Sequence, residues 1–241
     1  MPQTETTLLD ALIVAHGQPG DPEPAEAALT EIATRVGTHL PQGRVGSATM
    51  AAPGRLEAAL ETLPDGGVIY PLFMADGWFV KTALRDRIKH RDLRVLTPLG
   101  LDPHLPDVAV RGLRHCMAEQ GWSLAKTTVC VAAHGSARSP FAGASAEAFV
   151  SHLRAALPDT TFTTTFVEQA PFLDALAPDL PAQTVCLPFF AMAGEHLRVD
   201  VSETLRAAGF TGPILPAFGQ TPDVAALIAR ALITQVEGRG R

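Results

Sequence analysis

Short apolar runs alternate along the chain with longer stretches in which apolar residues recur every three or four positions. The run over 184–190, TVCLPFF, is apolar almost throughout and too short for a helix of its own, which predicts a strand buried on both faces, as in a parallel sheet. Small residues over 191–194 then let the chain turn. From Glu195 onward Leu197, Val201 and Leu205 recur every four residues up to Gly209, the pattern of an amphipathic helix with a glycine stop. Throughout the second half the pattern predicts strands over 128–133, 160–167, 184–190 and 213–216, with helices over 142–157, 171–177, 195–208 and 222–236. Strands that alternate with helices imply an α/β protein with parallel sheets and right-handed crossovers.

The pattern occurs twice. LIVAHGQP over 12–19 returns as VCVAAHGSA over 129–137, with His16 and His134 118 positions apart (134 − 16), and Pro53 matches Pro171 at the same offset. At an offset one residue shorter, Pro71 matches Pro188 and Gly77 matches Gly194, so YPLFMADGWF stands opposite LPFFAMAGEH. The chain therefore reads as two related α/β units in tandem, 1–120 and 121–241, joined within 119–125 around Gly121.

Composition narrows the range of functions. The 241 residues, 46% hydrophobic and 18% charged, describe a globular protein. A net charge of −6 without a basic stripe argues against nucleic acid as the main partner. The start, MPQTETT, is polar and acidic where a signal peptide would be basic and then apolar, and no apolar run approaches the length of a membrane span, so a cytoplasmic location is expected. Three scattered cysteines, Cys116, Cys130 and Cys186, form no C-x-x-C pair and read as small apolar core fillers. A small-molecule partner is what remains.

Three residues of one chemistry fall on one predicted edge. His134 follows the first strand of the second half, Glu168 ends the second and His196 follows the third, so all three lie beyond the carboxyl ends of one sheet, where open parallel sheets bind ligands. Two imidazoles and a carboxylate suit a divalent transition metal, and three protein ligands leave positions open for a substrate. His39, His90, His104, His115 and His152 fall on predicted helices or loops and read as solvated or structural.

The tandem units, A-H-G-S-x-R over 133–138, F-V-E-x-x-P over 166–171 and L-P-F-F-x-x-x-G-x-H over 187–196 resemble the class II tetrapyrrole chelatases, and within them the long, two-unit sirohydrochlorin cobaltochelatases of cobalamin synthesis. The resemblance covers nearly the whole chain. It implies two flavodoxin-like domains facing each other across a cleft, and insertion of Co²⁺, or of Fe²⁺ or Ni²⁺, into sirohydrochlorin without ATP and without a permanent cofactor. It also implies that His134 and His196 are the active-site histidines and Glu168 their acidic partner. Neutral imidazoles can both hold a metal and accept pyrrole protons near pH 7. For the substrate's carboxylates the candidates are Arg138 and Arg198, within four residues of the two histidines, and Ser136, whose local alternative is to cap the next turn.

The first half departs from this set. It keeps His16, but Met50 aligns with Glu168 and Phe79 with His196. His16, Trp78 and Phe79 then read as lining for a flat macrocycle rather than as metal ligands, and Met50 and Met74 as packing. The alternatives in view are a siroheme-forming ferrochelatase and a non-catalytic metal or tetrapyrrole binder. A histidine phosphatase is disfavoured because Ala15 and Ala133 stand where that chemistry places an arginine before the histidine. Monomer and homodimer both remain open.

Overall fold

The computed structural model describes residues 9–40 and 43–237. A four-stranded parallel sheet is built from β1 (Leu9–Ala15), β2 (Gly43–Thr49), β3 (Val68–Pro71) and β4 (Arg94–Val95), in the order β2-β1-β3-β4. A second parallel sheet is built from β5 (Thr128–Ala133), β6 (Thr161–Phe166) and β7 (Thr184–Phe189), in the order β6-β5-β7. Both carry the 2-1-3 core of a flavodoxin-like doubly wound sheet. The predicted strand over 213–216 shrinks to one parallel bridge, Ile214 to Cys186. Pro213 and Pro216 flank it and have no N–H to donate, so only the Pro213 carbonyl and the Leu215 N–H bond to Cys186.

The main helices of the first half are α1 (Pro22–Gly37), α2 (Arg55–Thr62), α3 (Arg85–Ile88) and α4 (Leu105–Glu119). Those of the second half are α5 (Pro140–Ala156), α6 (Leu173–Leu176), α7 (Thr204–Ala207) and α8 (Pro222–Glu237). A π-helical segment precedes α3 (Phe79–Leu84), and another precedes α7 (His196–Glu203). The helix expected over 195–208 is thus half π-helical. Its apolar stripe still buries Leu197, Val201 and Leu205 against Cys130, Ala132 and Cys186 of the sheet, because a period near four residues suits the wider turn.

The division of the chain into 1–120 and 121–241 needs correction. Among the described residues, one compact unit gathers those up to Leu72, Trp78–Pro98 and those from Pro222 onward; the other gathers Phe73–Gly77 and Leu99–Thr221. The reason is where the last helix of each half finds its sheet. α4 buries Leu105, Val108, Ala109, Leu113 and Met117 and packs on α5 and β7. α8 packs on α1, β1 and β3, with Val224, Ile228 and Leu232 fully buried. Each half therefore lends its final helix to the unit named after the other. No helix among the described residues is long and apolar enough to cross a membrane.

In the second unit an aromatic cluster supports the end of β7: Phe149 lies 4.7 Å from Phe189 and 5.7 Å from Phe218 between ring centroids. Cys130 and Cys186 are register partners on β5 and β7, both fully buried. Burial pushes the Cys130 thiol up and the Cys186 thiol well above its ordinary range, so neither supplies a thiolate near neutral pH. In the folded protein both are therefore expected to resist a thiol reagent such as DTNB and to react once guanidinium unfolds the chain. Rapid labelling of either in the native protein would show that the β5–β7 pairing opens.

Candidate active site

The site is set by register. β5 and β7 are neighbours, with Ala133 opposite Phe189, so the chain leaves both strands side by side at the carboxyl edge of the sheet. His134 is the first residue past β5, and His196 opens the π-helical segment that follows β7. Their Nε2 atoms stand 3.3 Å apart, with ring centroids at 4.4 Å and planes at 88°.

The opposite nitrogen of each ring is fixed by an acceptor. His134 Nδ1 faces the carbonyl of Gly135 at 3.1 Å, and His196 Nδ1 faces Asp200 Oδ2 at 2.7 Å. A carbonyl and a carboxylate only accept, so each Nδ1 is the donor, and with both rings neutral each Nε2 presents a lone pair to the gap. Two lone pairs at that distance repel, and a cation between them removes the repulsion. Gly135 reaches its neighbour because it adopts φ +72°, turning the chain so that its own carbonyl comes back to the preceding imidazole. A Cβ there would also run into Gln169, 2.6 Å from its Cγ. Gln169 in turn accepts the Ser136 N–H at 2.9 Å, which ties the loop after His134 to the end of β6.

Glu168 lies on the other side of His134 from the gap. Its Oε2 is 3.8 Å from Nδ1, and its own N–H donates to the His134 carbonyl at 2.9 Å. The three-ligand set expected from the sequence is therefore not assembled: among the described residues no group of three His, Cys, Asp or Glu side chains converges on a point. Glu168 faces the Nδ1 side of His134, whereas His196 faces its Nε2. Asp200, absent from the candidates read in the sequence, is the carboxylate bonded to the second imidazole. Its signal was the H-x-x-x-D spacing, which stacks the two side chains on one helical face.

Ser136 makes the local turn, its Oγ accepting the Arg138 N–H at 3.2 Å. Arg138 and Arg198 are exposed, and along the chain they follow His134 by four residues and His196 by two. Of the other histidines, His104 faces Asp107 at 3.7 Å at the start of α4 and His115 faces Glu119 at 3.3 Å at its end.

The first unit repeats the arrangement with one ring exchanged. His16 follows β1, Gly17 has φ +78°, and its carbonyl is 2.7 Å from His16 Nδ1. Phe79 opens the π-helical segment there and meets His16 edge to face at 4.2 Å and 70°, where His196 meets His134. Trp78 lies 5.2 Å from Phe79 and is 64% exposed. The counterpart of Glu168 is corrected by the hydrogen bonds: Ala51 donates to the His16 carbonyl as Glu168 does to that of His134, so Ala51, not the buried Met50, is its equivalent. The proline match at offset 118 hid this because the strands pair one residue earlier, Ala15 with Thr49 and Ala133 with Phe166.

Comparison with known proteins agrees with this architecture. The CbiX family model matches residues 10–116. A solved structure described as CbiX, the terminal enzyme for biosynthesis of siroheme in denitrifying bacteria, is 41% identical, with a TM-score of 0.84 over 93% of this chain and 98% of that one. SirB from Bacillus subtilis, solved with Fe³⁺, shares the fold at 15% identity and a TM-score of 0.72, over 96% and 98% of the two chains. DR2241 from Deinococcus radiodurans, a multi-domain protein with structural similarity to chelatases, shares it at 20% identity and a TM-score of 0.68. There the match covers 95% of this chain and 54% of the other, so this chain spans about half of that protein. No curated protein sequence matches the chain. Identity of 41% over nearly the full length of both chains is enough to state kinship, and the chain belongs to the CbiX family of class II tetrapyrrole chelatases.

Proposed function

We propose that the protein inserts a divalent metal ion into sirohydrochlorin without nucleotide hydrolysis, with His134 and His196 presenting the ion. The observation that carries this reading is the spacing of the pair. Imidazole nitrogens bonded at about 2.0–2.1 Å to one tetrahedral ion stand about 3.3–3.4 Å apart, and the two Nε2 atoms stand 3.3 Å apart. The rings meet edge to face, so capture of an ion asks them only to splay.

Two protein donors hold an ion loosely and leave its other positions to water and to the incoming pyrrole nitrogens. The charge then balances. Insertion moves one M²⁺ into the macrocycle and releases two pyrrole protons, and the two Nε2 lone pairs vacated by the ion can take those two protons. The site holds two positive charges before and after, with Glu168 and Asp200 beside the imidazoles to stabilise either form. Arg138 and Arg198 are proposed to meet the substrate's carboxylates. In the first unit, the exposed Trp78 and Phe79 rings, with His16, are proposed to contact the macrocycle.

Co²⁺ as the ion follows the resemblance to the cobaltochelatases. A second reading, Fe²⁺, is favoured by the siroheme role named for the 41% identical relative. Imidazole nitrogen binds both, so ligand type does not select between them. Competition between Co²⁺ and Fe²⁺ for limiting sirohydrochlorin, followed by the absorbance of each product, decides it.

His196→Ala and His134→Ala are each expected to lower the rate of insertion by at least about 100-fold, and Glu168→Gln by about 10- to 100-fold, with the fold retained by circular dichroism. His16→Ala should fall much less. Equal losses from His16→Ala and His196→Ala would overturn a site confined to the second unit, and stoichiometric binding of sirohydrochlorin without turnover would show a carrier rather than an enzyme.

The ring exchange between units gives a constructive test. Phe79→His with Ala83→Asp copies the His196 and Asp200 positions into the first unit at the offset of 117 that relates the third strands. The double variant is expected to raise bound Co²⁺ from one ion to two per chain by equilibrium dialysis. Unchanged stoichiometry would show that the His–His spacing alone does not make the site.

A further inference from the structure

We infer that Asp200 is the positioning residue of the histidine pair: by accepting the Nδ1–H of His196 it holds that imidazole in the tautomer, and in the orientation, that turn its Nε2 lone pair toward His134. This rests on the proposed function for its consequence in metal presentation, but not for the structural relation itself.

Three observations carry it. The His196 Nδ1 to Asp200 Oδ2 distance of 2.7 Å lies in the range of a strong, charge-assisted bond. Among the described residues, Asp200 is the acceptor that meets His196 Nδ1. His134 is steadied by the glycine that follows it, whereas His196 is followed by Leu197 in a helical segment, where the Leu197 carbonyl runs along the axis and accepts Ser202 Oγ at 2.9 Å. A carboxylate one turn further on supplies what a backbone carbonyl supplies to the other ring. The first unit gives the control within the same chain: where Phe79 replaces the imidazole, Ala83 occupies the position corresponding to Asp200. The ring nitrogen and its acceptor are present together or absent together.

Asp200 therefore does not touch the ion. It acts through His196, as carboxylates bonded to the distal nitrogen of metal-binding imidazoles do. Without it the ring is free to rotate and to adopt the Nε2–H tautomer that neutral imidazole prefers in water, which places a proton where the lone pair is needed.

The test uses the full chain with ¹⁵N-labelled histidine and the variants Asp200→Ala, Asp200→Asn and Asp200→Glu. Two-bond ¹H–¹⁵N spectra of the metal-free protein read the tautomer of His196 directly. The Nδ1–H form is expected in the wild type, and the Nε2–H form or a mixture in Asp200→Ala. Co²⁺ affinity, read from the visible absorption of the bound ion, is expected to fall about 10- to 100-fold in Asp200→Ala, less in Asp200→Asn, and to recover in part in Asp200→Glu. The KM for sirohydrochlorin should stay near that of the wild type while the KM for metal rises. An unchanged His196 tautomer in Asp200→Ala overturns the inference, as does a loss of activity in all three variants that follows thermal stability alone. A tautomer that responds to Asp200 in a protein that binds no Co²⁺ or Fe²⁺ upholds the positioning role and overturns the proposed metal site instead.

Discussion

Everything at the site hangs on one pairing register. With Ala133 opposite Phe189, the residue that ends β5 and the turn that follows β7 emerge side by side, and two imidazoles 62 positions apart in sequence come within hydrogen-bonding distance. The register is held from below by buried contacts: Cys130 beside Cys186, the Phe149, Phe189 and Phe218 cluster, and the Leu197, Val201 and Leu205 stripe of the helix that carries His196. A slip of one residue would turn each buried strand side chain to the opposite face, so the interior resists any sliding that would open the gap between the rings. The geometry of a partly exposed pair is in this way specified by residues that water never reaches.

Much of this was legible in the chain because the signals were local or repeated. The apolar runs marked β5 over the same residues found in the structure, β6 and β7 to within a residue at either end, and the internal repeat placed His16 with His134 and Phe79 with His196, which the two edge-to-face ring pairs bear out. What was not legible depended on partners that a pattern does not name. An amphipathic stripe says that α4 and α8 must bury a face but not against which sheet, and each packs with the unit opposite to its half of the sequence. Glu168 sits on the expected edge, yet which ring nitrogen it would face depends on loop geometry beyond the strand. Asp200 and its partner lie on the polar side of a turn whose apolar period marks only the buried Leu197, Val201 and Leu205.

The two units show how little separates an edge with an imidazole pair from one with an imidazole and a phenyl ring. Both have the His-Gly step with a left-handed glycine, both bond the glycine carbonyl to Nδ1, and both follow the third strand with a π-helical segment whose first ring meets the histidine edge to face. π-helical insertions interrupt the regular ladder of helix hydrogen bonds and recur at functional positions. Here the insertion is common to both units, which assigns it to holding a ring against the sheet edge, while the chemistry is decided by which ring it holds. Imidazole with a carboxylate one turn on gives a lone-pair donor; phenyl with alanine one turn on gives an apolar face beside Trp78.

The crossed ownership of α4 and α8 sets an order of events during synthesis on the ribosome. The strands of the first unit leave the exit tunnel early, but the helix that covers α1, β1 and β3 is translated after every element of the second unit. Domains ordinarily fold as units, the N-terminal one first. In this chain the second unit has all its pieces by Thr221, while the first still lacks the helix that begins at Pro222. Both histidines, and every strand beneath them, are thus translated before α8, the helix on which the sheet of the first unit depends for its cover.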